Sequence, residues 1–212
     1  MLEMLLSPKR GRKEPWMMFF IGLVYASLSI LLVNWIFSSD AVLAKYSGIL
    51  VVTFTVMFSL PFMYYLVKDE EEKGMEYEGM FRILKEHGRA LMALMWLFFG
   101  FIVAFSFWYV MLASTQSFRA QIETYCLINR PANFEECVSQ YGVKPTTKPT
   151  GFLTAKERIF MIFTNNIYVL IFTLVFSLIF GAGAIFVLAW NASVIAAAVG
   201  IFSKSNIANL PL

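Results

Sequence analysis

Ile159 to Ser203 reads IFMIFTNNIYVLIFTLVFSLIFGAGAIFVLAWNASVIAAAVGIFS, 45 residues without one charged side chain. A helix needs roughly 20 residues to cross the hydrocarbon core of a bilayer. One straight helix of this length would reach about 68 Å, far beyond that core. The run therefore folds back on itself, and Gly181 and Gly183 near its middle are the expected hinge. This reading makes the chain an all-α, polytopic transmembrane bundle ending in a hairpin of helices rich in small residues.

The rest of the chain agrees. Hydrophobic residues make up 59% and charged residues 15%, against about 25% charged in soluble domains. Three more runs are long and apolar enough to cross: Trp16 to Phe37, Gly48 to Val67, and Ala90 to Leu112. The charge-free run splits into span four, Ile159 to Phe180, and span five, Ala184 to Ser203, giving about five spans. The first run is too long for the apolar region of a signal peptide, although Val42-Leu43-Ala44 looks like a cleavage site. Pro15 suits a first helical turn, and Trp16 and Trp35 stand where interfacial aromatics belong. Pro61 is expected to kink span two, because its ring removes a backbone hydrogen bond.

Lys and Arg placement sets the orientation. Lys9, Arg10, Arg12 and Lys13 precede span one, and Lys68, Lys73, Arg82, Lys85 and Arg89 separate spans two and three. Both segments fall on one side and are the more densely basic, which places the N-terminus in the cytoplasm of a multi-pass cell-membrane protein. Three regions follow. Residues 1–112 hold three spans and a cytoplasmic amphipathic helix at 70–88, in which Tyr77, Met80, Phe81, Leu84 and His87 recur at helical spacing. Residues 113–154 form an external loop, expected to be disordered or irregular because Pro131, Pro145 and Pro149 interrupt it. Residues 155–212 form the C-terminal hairpin. Nothing in the charge pattern resembles a nucleic-acid surface.

Few residues offer chemistry. Cys126 and Cys137 both lie in the external loop, an oxidising setting in which a disulfide persists. His87 is the single histidine, so a histidine dyad or a histidine-based metal site is excluded. No metal and no cofactor is expected. The spans as drawn carry no deep Asp, Glu, Lys or Arg, the groups that proton-coupled transporters use. The intramembrane amides singled out are Asn165, Asn166 and Asn191. In hydrocarbon such groups turn inward and link helices, or line a polar vestibule. Asn191-Ala192-Ser193 matches a glycosylation sequon but lies inside span five. That span also carries two small-residue ridges, Ala192-Ala196-Gly200 and Ala189-Ser193-Ala197. Ridges of this kind allow close backbone approach, to a partner helix or a second subunit.

Phe160 to Val169, then Phe180-Gly181-Ala182-Gly183, Leu188 to Ser193 and Gly200, resemble the core of the stage II sporulation protein M family. Ser7-Pro8-Lys9, Pro15-Trp16 and Glu70-Glu71-Glu72-Lys73 resemble its members from organisms that do not sporulate, so the likeness covers nearly the whole chain. The resemblance implies an integral membrane organiser of envelope-remodelling partners. It also implies at least one further membrane segment, so a chain stopping at Leu212 is expected to be C-terminally truncated. The expected role is non-enzymatic: a scaffold or partner-binding component of a membrane complex, embedded in the lipid bilayer. Its partners would be other membrane proteins or further copies of itself, met through the span-five ridges and the amphipathic helix. The alternative is a transporter or channel subunit with a path lined by the three asparagines.

Overall fold

A computed structural model describes residues 14–37, 39–40, 42–74, 80–112, 114–142 and 182–208, together with scattered positions between 156 and 175. Within these, 67, 69–74, 80–87, 182 and 206–208 are described by backbone alone. Among the described residues there are helices and no strands. They are α1 (Met17–Phe37), α2 (Ser47–Gly74), α3 (Met80–Met111), α4 (Arg119–Asn129), α5 (Phe134–Gln140) and α6 (Ala182–Ala208), with short 3-10 turns between several of them.

Four helical stretches have the length and hydropathy to cross a membrane: Met17–Phe37, Leu43–Leu66, Gly88–Met111 and Gly183–Ser205. They match expected spans one, two, three and five. The fourth expected span lies largely outside the described residues. The positions described there, such as Phe160, Phe163 and Tyr168, are helical and exposed. On α1, Trp16 and Trp35 are 53% and 84% exposed. Nineteen residues of helix separate them by about 29 Å, so an aromatic marks each interface of a core about 30 Å thick.

Three buried hydroxyls of the first two spans bond their own helices, as lipid favours. Ser29 donates to the Tyr25 carbonyl, Thr55 to that of Val51 and Ser59 to that of Thr55, at 2.7, 2.8 and 2.7 Å. Pro61 sits inside an unbroken α2, and its missing N–H leaves the Met57 carbonyl without a helical donor.

The most extensive helix contact is α1 against α3, followed by α3 against α6. At the α1–α3 crossing, Gly22 faces Gly100. A Cβ on Gly22 would lie 2.6 Å from the Leu97 carbonyl oxygen and 3.2 Å from Gly100 Cα. A Cβ on Gly100 would strike the Phe19 carbonyl. Only two glycines permit this backbone-on-backbone approach. Along α3 and α6 the contacts advance together: Gly200 lies against Tyr109, and Lys204 reaches the Leu112 carbonyl. The two helices therefore run parallel, and residues 143–181 connect opposite ends of the bundle.

The segment expected to be an irregular external loop departs from that expectation in its structure. Residues 115–140 are helical, not irregular. Pro131 opens a 3-10 turn and α5 follows at once, so this proline starts structure instead of breaking it. Phe118, Ile122, Phe134 and Val138 are buried. Forty residues alone would support little core, but this core is shared with the bundle, where Phe118 meets Phe105 and Tyr109 at ring-centroid distances of 6.4 and 5.2 Å. Gly142, at φ 73°, ends the segment in the left-handed region that glycine adopts freely. Pro145 and Pro149 lie outside the described residues.

Candidate functional site

The residues singled out on span five divide into two faces. Ala189, Ala192, Ser193, Ala196, Ala197 and Gly200 are all buried, and α6 packs on α3, α2 and α4. The ridges thus do pack helices, but against this chain's own. They are not an open docking face, because α2 and α3 already occupy it. Gly200 sits on the Tyr109 ring, where a Cβ would overlap it. Ser193 gives its hydroxyl to the Trp190 carbonyl at 2.7 Å and bonds its own helix.

Asn191 projects from the opposite face and is exposed. Its Nδ2 donates to the Val187 carbonyl one turn back, at 2.8 Å. The inward turn expected of this amide does not occur, because the inner face is filled by alanines that let α3 approach. Asn166 is helical and exposed; Asn165 lies outside the described residues. Of the expected hinge, Gly183 stands in the first turn of α6 and Gly181 lies outside the described residues. The expected amphipathic helix at 70–88 is divided: 70–74 close α2 and 80–88 open α3. Residues 75–79 and the His87 side chain lie outside the described residues.

The cap at 114–142 is the other candidate. Cys126 and Cys137 form a disulfide with Cα atoms 5.8 Å apart, both buried, tying α4 to α5. Thr115 donates to the Tyr141 carbonyl at 2.7 Å and closes the cap's two ends. Two polar contacts, distant in sequence, seat the cap on the bundle, and a third ties α6 to the end of α3. Ser117 donates to Oδ1 of Asn34 on α1 at 2.8 Å. Gln121 Nε2 donates to the Gly48 carbonyl at the start of α2 at 2.9 Å. Lys204 Nζ donates to the Leu112 carbonyl at 3.0 Å and stands 5.3 Å from the centre of the Tyr109 ring. Beside the cap, the Asp40 carboxylate accepts from the N–H groups of Leu43 and Val42, and these bonds hold its carboxyl below the ordinary carboxylate range.

None of Asn34, Gly48, Ser117, Gln121 or Lys204 stands out in the sequence, since each gains its role from a partner at least 73 positions away. Gly22 and Gly100 did leave a signal: Gly22-x3-Ala26 and Gly100-x3-Ala104 are both small-xxx-small pairs. Among the described residues no group of three His, Cys, Asp or Glu side chains is gathered as a metal site would need.

A family model described as stage II sporulation protein M matches residues 93–210, more than half of the chain. The match spans α3 from Ala93, the cap and α6, and leaves α1 and α2 outside it. Comparison with curated proteins gave no match. Comparison with solved structures gave none.

Proposed function

The chain belongs to the stage II sporulation protein M family, and from that membership we propose that it is a non-enzymatic scaffold that binds other proteins within a membrane complex. That it is a multi-pass integral membrane protein follows from its four crossing helices and its family. The scaffold role, the cytoplasmic membrane and the inward N-terminus are the proposed part. The dense basic residues at 9–13 and 68–89 support the orientation, since they flank the ends of α1, α2 and α3 remote from the cap.

One observation carries the reading: a folded cap is braced internally by a disulfide and fixed to the bundle by two polar contacts. Such a cap is a rigid platform. It presents Arg130, Asn133, Glu135, Glu136 and Gln140 outward, a polar surface suited to a protein partner. Among the described residues the intramembrane side offers packing and no assembled chemistry, with Lys204 at a helix end serving as a tie.

A photoreactive residue at Glu135 or Gln140, expressed in native membranes, should cross-link one recurrent protein. Cys126→Ser should abolish that product while the chain still inserts. A cap that cross-links nothing above background would refute the platform. The transport alternative has no support in the placement of Asn191, whose side chain lines no interior path.

A further inference from the structure

On the outward face of α6 a second pattern emerges. Ala184, Asn191 and Ala198 repeat at seven-residue spacing, and Leu188 and Ile195 follow the first two by four. This is the a/d spacing of a heptad seam, in which Leu188 and Ile195 hold one position and Ala184, Asn191 and Ala198 the other. Ala184, Asn191 and Ile195 are exposed, and Leu188 and Ala198 half-buried. The ridge that packs on α3 and α2 is the other side of the same helix.

Asn191 lies eight residues into the span Gly183–Ser205, about 12 Å from its start and so within the hydrocarbon. One amide N–H is used by the Val187 carbonyl. The second N–H and Oδ1 have no partner among the described residues. An amide left half-bonded in lipid is costly, and the group that relieves it must sit at the same depth with one donor and one acceptor.

We propose that the α6 seam is a self-association surface, and that its occupant is α6 of a second copy of this chain. A two-fold axis along the membrane normal places Asn191 of each copy at one depth. Each Oδ1 then accepts from the free N–H of the other, so two reciprocal bonds form. Helices related in this way run parallel, and Ala184 and Ala198 let the backbones close in above and below the amides. A different protein would need a matching amide at that depth; a copy supplies it by symmetry. The pairing extends the scaffold reading without depending on it, since a chain that captured no other protein would still dimerise.

The full chain carrying Ile195→Cys, oxidised in native membranes with copper phenanthroline, should give a disulfide-linked dimer. Leu28→Cys, on the exposed face of α1, should not. Adding Asn191→Leu to Ile195→Cys should lower the dimer fraction about tenfold or more, the loss of two interhelical bonds, while Asn191→Gln retains it. Three results would overturn the proposal: Ile195→Cys stays monomeric, Asn191→Leu leaves the dimer unchanged, or Ile195→Cys bridges to Ile167→Cys within one chain. Should Asn191→Leu fail to accumulate, energy transfer between separately labelled wild-type chains in phosphatidylcholine vesicles decides. Transfer that exceeds random encounter and survives dilution with lipid supports the dimer, and transfer at the random level refutes it.

Discussion

Replacing Gly100 by alanine should weaken the bundle, whereas the same change at Gly88, on the same helix, should not. The Gly100 Cβ would strike the Phe19 carbonyl and lie 3.1 Å from both Gly22 Cα and Leu23 N. All three are backbone atoms, so no rotamer change relieves the overlap and α1 must move away. Ordinary contact begins near 3.4 Å, which demands a shift of about 0.5–1 Å, enough to forfeit a quarter to a half of the attraction at neighbouring contacts. Overpacking of this kind costs about 1–3 kcal/mol. Alanine gains about 1 kcal/mol over glycine in a helix at either position. At Gly88 nothing lies within 4 Å of the added atom, so only that gain remains. The quantity to compare is the difference between the two variants, in which propensity cancels, and it should be about 1–3 kcal/mol. Reversible unfolding in mixed detergent micelles measures it. The Gly22→Ala, Gly100→Ala double variant should cost less than the sum of the singles, because one separation of α1 from α3 relieves both. Equal stability for Gly88→Ala and Gly100→Ala would refute the close crossing.

Three further outcomes are expected. Cys126→Ser should loosen the cap by about 3 kcal/mol, the chain-entropy value for a short loop, seen as rapid tryptic cleavage after Arg119 with the spans intact. Gln121→Ala should cost about 1 kcal/mol and raise amide exchange over 119–129, leaving exchange in α1 unchanged. Asp40 has its carboxyl held below the ordinary range, so its two hydrogen bonds protect the Val42 and Leu43 amides at pH values above that range. The protection is lost as pH falls through the lowered value, and Asp40→Asn should make exchange at these amides insensitive to pH there.

Crossings were legible in the sequence because lipid imposes one rule on every residue of a span: no charge over about 20 positions. That rule needs no partner to be read, and it picked out the crossing stretches of α1, α2, α3 and α6 within a few residues. The two cysteines were legible because they share one loop. The direction each face looks was not. Ala192-Ala196-Gly200 reads the same whether the covering helix comes from this chain or another, and only the path of α2 and α3 settles which. Asn191 was placed inward on the ground that amides avoid lipid, but its own Val187 carbonyl satisfies half of it and the inner face has room only for alanine. The cap looked irregular because its apolar residues are too few for a core of their own; half of that core is Phe105 and Tyr109, on a transmembrane helix.

The glycine pair joins α1 to α3, not to the neighbour that follows it in the chain. During synthesis α1 and α2 enter the bilayer first, and at that moment Gly22 has no counterpart and Asn34 no hydroxyl to accept from. The stretch that supplies both contacts, the second half of α3 and the first turn of the cap, arrives only with residues 97–117. Membrane assembly of this protein is therefore a rearrangement: an early, loosely held helix must wait in lipid and then be claimed by a later one. Slow delivery of α3 by the insertion machinery should lengthen the window in which quality-control proteases recognise α1.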